Sequence, residues 1–165
     1  EFKKILISSR EVNDSQIDYV INHLNIYLKT NNFTLKDLNI LIIGLAFKGV
    51  PQTNDIRGSN AIDLHKKIKG KVNSVYGFDV ALKSNTIIPD LISISNFDSL
   101  KKTIKKVNAI FIMNNNPNNL PDDFLNYLDK GIFLSDPWGF YSNFDVVNNC
   151  KISYSNLGKL DLYIK

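Results

Sequence analysis

Between Leu38 and Gly44 the chain reads Leu-Asn-Ile-Leu-Ile-Ile-Gly, a short apolar run dominated by branched residues and closed by glycine. Such a run is too short for a buried helix and too continuously apolar for a strand with one wet face, so it reads as a strand covered on both sides. Comparable runs recur at Ser74–Phe78, Leu91–Ser95, Ala109–Met113 and Ile132–Ser135, and a last strand is expected at Ile152–Tyr154. Between them lie segments with helical spacing: Ala61, Ile62, Leu64 and Ile68 up to Gly70, then Phe97–Lys106, then Pro121–Leu128. Strands that alternate with helices require a parallel sheet with both faces covered. The expected fold class is therefore α/β, a doubly wound, mainly parallel sheet.

An amphipathic helix is expected ahead of this sheet, from about Ser9 to Lys29, with Val12, Ile17, Val20, Ile21, Leu24, Ile26 and Leu28 at mostly helical intervals and Asn31-Asn32 ending it. A length of 165 residues suits one core. No apolar run approaches the roughly 18 residues that a membrane span needs. The N-terminus carries no charged-then-apolar leader, so a cytoplasmic setting and no membrane partner are expected. The net charge of +4 is spread over helical segments rather than gathered in a basic arm, which argues against nucleic acid and suits a small anionic ligand. The single Cys150 excludes an internal disulfide, and no Cys/His cluster has the spacing of a metal site. His23 and His65 both fall in helical segments and read as solvated helical side chains.

In a parallel sheet, ligands bind beyond the carboxyl ends of the strands. The strand ending at Gly44 delivers Gly44-Leu45-Ala46-Phe47-Lys48-Gly49, with glycine where backbone comes close to a ligand but without the G-x-G-x-x-G spacing of a dinucleotide turn. Lys48 beside Phe47 sets a cation next to an aromatic ring and suits a phosphate, a carboxylate or a sugar; a plain surface lysine fits equally. Arg57 forks onto a phosphate or pairs with Asp55. Ser59 reads as the N-cap of the helix that follows, and the asparagine-rich stretch Asn114–Asn119 reads as a loop.

The run Gly44-Leu45-Ala46-Phe47-Lys48, followed after a polar loop by Asp55-Ile56-Arg57-Gly58-Ser59, resembles the G-x-A-F-K…D-x-R-x-S signature of the UDP-glucose/GDP-mannose (nucleotide-sugar) 6-dehydrogenase family. Arg10-Glu11-Val12-Asn13-Asp14 is similar to the R-x-x-N-D start of the helix before that family's last domain. Tyr76-Gly77-Phe78-Asp79 resembles its second strand, Ala109–Met113 a later one, Ser135-Asp136 a strand ending in aspartate, and Leu157-Gly158-Lys159 its terminal I-G-K. The resemblance spans roughly residues 9 to 160. It implies that residues 1–32 are a helix from the end of a central dimerisation domain and that residues 33–165 are a Rossmann-like C-terminal domain that binds the nucleotide sugar.

By the same resemblance, the complete enzyme is a cytoplasmic homodimer that oxidises a sugar C6 alcohol to a carboxylate for polysaccharide precursors, with NAD held mainly by an N-terminal domain. Phe47 and Lys48 are implied in substrate binding, with a UDP-sugar as the substrate, and Arg57 in reaching the cofactor. The family's G-G-x-C-x-x-K-D segment does not occur between Glu1 and Lys165, so no catalytic residue is assigned, and Cys150 lies too late in the chain to stand in for that cysteine. Asp136-Pro137-Trp138 replaces the more usual D-x-R; Trp138 either stacks on a base or sugar face or covers the sheet edge. A stand-alone module that binds a UDP-sugar without catalysis, or that serves only association, satisfies the same residues.

Overall fold

The computed structural model describes residues 2–83 and 86–163, and their side chains apart from those of residues 2–6, 9, 10, 13 and 14. The match of Arg10, Asn13 and Asp14 to a helix-start pattern therefore lies outside the described side chains.

Strands β1 (Asn39–Ile43), β2 (Ser74–Phe78), β3 (Ile92–Ser93), β4 (Ala109–Ile112), β5 (Phe133–Ser135), β6 (Ser153–Asn156) and β7 (Lys159–Asp161) form one sheet in the order β3-β2-β1-β4-β5-β6-β7. All neighbours are parallel except β6 and β7. The protein is an α/β, Rossmann-like, doubly wound domain, and its strand order reverses between β1 and β4. Helices α1 (Phe2–Asn31), α2 (Asn60–Ile68), α3 (Phe97–Ile104) and α4 (Val146–Cys150) cover the two faces.

Period-two alternation along β1 explains why the run had to be apolar throughout. Ile40 and Ile42 face a core shared with Leu24 of α1, Leu64 of α2 and Phe111 of β4, while Leu41 and Ile43 face a second core with Leu100 of α3, Phe124 and Leu134. These four of the five β1 side chains are fully buried. The second half of α1 belongs to the first core through Ile17, Val20, Leu24, Tyr27 and Leu28. Polar contacts fix its register: the Tyr27 hydroxyl donates to the Gly131 carbonyl at 2.7 Å, and His23 Nδ1 meets Ser155 Oγ on β6 at 2.8 Å.

Several expectations need correction. The histidines are not solvated: His23 and His65 are buried, and His65 Nε2 lies 2.9 Å from the Pro89 carbonyl. Each lies on the inward side of its helix, where a ring with one hydrogen bond fits better than a charged head group. Burial holds the His23 imidazole below its ordinary range. Instead of a helix at Pro121–Leu128 there is a 3₁₀ turn at Phe124–Tyr127, a single turn that suffices to bury Phe124 and Leu128 in the second core. The short helix α4 and the strand β7 were not foreseen. Leu157-Gly158 is the two-residue turn of the β6–β7 hairpin, with Asn156 paired to Lys159.

Candidate functional site

The reversal between β1 and β4 opens a crevice beyond the carboxyl ends of the strands. The loop over residues 44–59 borders it. Gly44 N–H continues the ladder by donating to the Phe78 carbonyl at 2.8 Å, and Phe47 N–H closes the neck on the Asp55 carbonyl at 2.7 Å. Ala46 N–H donates to Asp79 Oδ2 at 2.9 Å. Farther out, the N–H groups of Gly49 and Val50 both donate to Asn115 Oδ1, at 2.9 and 3.0 Å. The loop then returns to α2, where Ser59 Oγ accepts from Ala61 N–H at 3.2 Å, as its N-cap reading expects.

The loop presents Phe47 and Lys48 at the surface. Phe47 is 57% exposed, and its ring lies over Gly58, where a Cβ would touch it at 3.9 Å. Lys48 is exposed and makes no hydrogen bond or ion pair with a described side chain. Arg57 takes the second of its two readings: Nε donates to both oxygens of Asp55, and Nη2 donates to Oδ2 at 2.7 Å. The hydrogen bonds from Arg57 hold the Asp55 carboxyl down at about 2. Asp55 also accepts Arg57 N–H at 2.9 Å, so it shapes the turn as well as pairing the charge. The Arg57 side chain remains 89% exposed, which makes the pair worth little as stability.

The part of the crevice that sequence reasoning missed is a lattice of asparagines. Asn114, Asn116 and Asn119 lie in the loop that the sequence leads one to expect, but they are buried. Asn114 Nδ2 donates to Asp79 Oδ2 at 3.0 Å and to the Ala46 carbonyl at 3.3 Å. Its Oδ1 accepts from Asn116 N–H and from Asn119 Nδ2, and Asn119 Oδ1 accepts from Val80 N–H. The loops after β1, β2 and β4 are thus one hydrogen-bonded unit. Asparagine counts as polar in any hydropathy pattern, so only its repetition at a strand end hinted at this role.

This lattice reassigns the loop glycines. A Cβ on Gly44 would stand 2.5 Å from Asn114 Oδ1, and one on Gly49 would stand 2.1 Å from Asn116 N. The close approach is therefore to the chain's own Asn114–Asn116 segment and not to a ligand. With no glycine-rich turn leading straight into α2 and the innermost crevice filled by carboxamides, these residues do not fit a dinucleotide pyrophosphate.

What stays open is a recess of about 110 Å³ lined by Gln16 and Ile17 of α1, Asn60 of α2, Met113, Trp138 and Leu157. Neither carboxamide, nor the Trp138 indole, hydrogen-bonds a described group, and Trp138 is 53% exposed. Trp138 thus stands on the rim of a recess. A larger hollow of about 380 Å³ beyond β2 and β3 contains one buried carboxylate, Asp79. Both Asp79 oxygens are already spent on Ala46, Ala81 and Asn114, which favours the switch-point recess as the candidate site.

Trp138 is placed by Asp136, which is fully buried. Asp136 Oδ2 accepts from Tyr154 Oη at 2.8 Å and from Tyr141 N–H at 2.9 Å. Its Oδ1 has no partner among the described residues. Burial pushes the Asp136 carboxyl above its ordinary range in spite of these hydrogen bonds. A folded-state value above the unfolded one means that the native state holds a proton the unfolded chain has released. The associated stability is present below the ordinary carboxylate range and is lost as pH rises through the folded value. Urea unfolding as a function of pH should show wild type losing stability relative to Asp136→Asn as pH rises above the ordinary carboxylate range; parallel profiles would assign the titration elsewhere.

Cys150, at the end of α4, is half-buried and packs against the second core. Burial raises its thiol, which suits the filling role and not a reactive thiolate. No helix among the described residues is long and apolar enough to cross a membrane.

No protein-family model matches this sequence, and no curated protein matches it. Among solved structures, a UDP-D-ManNAc dehydrogenase from Pyrococcus horikoshii shares its fold at TM-score 0.58 and 20% identity over 90% of the chain. The UDP-N-acetyl-mannosamine dehydrogenase from S. aureus does so at 0.59 and 21% over 94%. An NDP-N-acetyl-D-galactosaminuronic acid dehydrogenase from Methanosarcina mazei Go1 does so at 0.66 and 14% over 93%. The matched region amounts to 32%, 33% and 31% of those chains, so this chain spans about a third of their length.

Proposed function

We propose that this chain is the nucleotide-sugar-binding, C-terminal part of an NAD-dependent nucleotide-sugar 6-dehydrogenase, with residues 1–32 leading in from a central dimerisation domain and residues 33–165 forming the binding domain. The observation that carries this reading is a coincidence of two independent likenesses. The fold matches about a third of three nucleotide-sugar dehydrogenases, and the loop whose sequence resembles the G-x-A-F-K…D-x-R-x-S signature borders the crevice where a sheet of this topology binds ligands.

In this reading Lys48 supplies a mobile ammonium to the diphosphate, and Phe47 lies against the sugar end. The uncharged end of the ligand enters the recess beside Trp138, whose ring stacks on it while Gln16 and Asn60 meet its polar edge. Arg57, turned outward on Asp55, faces the domain that holds the cofactor. NAD, when bound, supplies the hydride acceptor. The crevice of this chain is unsuited to it, so the chain's own work is to bind and orient the substrate, in a cytoplasmic homodimer that feeds polysaccharide precursor synthesis.

Titration calorimetry of the chain with UDP and UDP-sugars tests the proposal. Lys48→Ala should weaken binding about 10- to 100-fold, the worth of one charge-assisted contact of about 1.5–3 kcal/mol. Trp138 is the sole tryptophan, so its fluorescence should change on the same titration. Wild-type affinity in Lys48→Ala, or a silent indole at saturating UDP, counts against the site. UDP-sugar binding by a natural chain that lacks any upstream catalytic segment would turn the reading into a non-catalytic binding module.

A further inference from the structure

The Lys48 side chain makes no hydrogen bond or ion pair with a described side chain, so only its backbone determines where the ammonium can reach. Of the N–H groups around it, Phe47 is tied to the Asp55 carbonyl at the neck. The next two tied groups, Gly49 and Val50, converge on a single atom, Asn115 Oδ1. Gly49 is also in van der Waals contact with the backbone at Asn116, a contact only glycine permits. The stretch that carries Lys48 is therefore suspended between two anchors, one at the neck and one supplied from the β4 side.

From this we infer that Asn115 is a positioning residue: its carboxamide oxygen fixes the Lys48–Val50 backbone and so fixes where the Lys48 ammonium is presented. The inference rests on the reading of Lys48 as a ligand contact and extends it to a residue that need not touch the ligand. Asn114 and Asn116 cannot play this part separately from folding, because both are buried within the lattice. Asn115 is only half-buried, and its described bonds are the two to the loop. Its loss frees two or three residues that must be ordered again when ligand binds, and ordering costs of this kind subtract directly from affinity.

Asn115→Ala should weaken UDP binding about tenfold with a smaller loss of urea midpoint than Asp79→Ala, since it orphans one buried N–H and not two, and it should accelerate amide exchange at Gly49 and Val50. Asn115→Asp keeps an acceptor oxygen at the position of Oδ1 and should restore protection of those two amides. In a double-mutant cycle, Asn115→Ala should cost less than about twofold further affinity once Lys48 is already alanine, because the two act through one contact. Independent, multiplying effects overturn the inference, and so does unchanged exchange at Gly49 and Val50. Wild-type UDP affinity in Lys48→Ala overturns the parent reading instead; a weakened Lys48→Ala beside an unaffected Asn115→Ala overturns only this one.

Discussion

Replacing Gly44 by alanine is expected to lower the unfolding free energy by about 3–5 kcal/mol. Two costs add at this position. Gly44 has φ +86°, a left-handed conformation that costs an L-residue roughly 1–2 kcal/mol. The new methyl would also stand 2.5 Å from Asn114 Oδ1 and 2.8 Å from Asn114 N. Backbone cannot swing aside like the end of a flexible side chain, so the loops after β1 and β4 must separate and the asparagine lattice opens with them. Gly70→Ala is the control: its φ is +73° but no atom lies within 4 Å of the added Cβ, so it should cost only the roughly 1–2 kcal/mol of backbone strain. Urea unfolding of the pair separates the two terms. Equal losses would mean that the contact with Asn114 carries no weight.

Asp79→Ala should cost about 3–5 kcal/mol, by a different route: three donors lose their acceptor at once. Asp79 takes the N–H of Ala46 and the amide of Asn114 on one oxygen, at 2.9 and 3.0 Å, and the N–H of Ala81 on the other at 2.9 Å. Ala46 and Asn114 are both buried, so water cannot replace the lost acceptor without opening the crevice. Asp79→Asn, which keeps one acceptor oxygen, should fall between wild type and alanine. Asp129 provides the contrast. It pairs with Lys105 at 2.7 Å but is 58% exposed, and its alanine variant should stay within about 0.5 kcal/mol of wild type. If Asp79→Ala proved as mild as Asp129→Ala, the three loops would not be acting as one unit. Because Ala46 directly precedes Phe47, Asp79→Ala should weaken UDP binding as well.

These two substitutions bear on different halves of what could be read in the chain. Gly44 is legible as a special position, since a glycine that closes a buried strand marks a turn, yet its partner is Asn114 and not the ligand that such a glycine suggests. Asp79 was legible only as the end of a second strand. Two of the three donors it holds lie more than thirty places away, and a pattern of apolar and polar letters carries no record of which carboxamide faces which carboxylate.

The same division runs through the rest of the molecule. Continuous apolar runs at Ile40–Ile43 and Ala109–Ile112 determined central strands, because only a sheet covered on both faces buries every side chain of such a run. Alternation with helices then determined parallel pairing, and with it the edge of the sheet where a site belongs. Helix and strand limits were less secure wherever a segment was short. Pro121–Leu128 buries Phe124 and Leu128 with a single 3₁₀ turn, and β7 needed nothing from its own sequence beyond the turn at Leu157-Gly158 that folds it back on β6.

Local sequence by itself determined the architecture and the place of the Phe47–Lys48 loop, since both follow from periodicity and from residues close in the chain. Tertiary structure alone decided that His23 and His65 are core residues and that Asn114, Asn116 and Asn119 form a buried lattice joining three loops. Hydrogen bonds between polar groups depend on direction and on proximity across the fold. Both are set only after the apolar layers have packed.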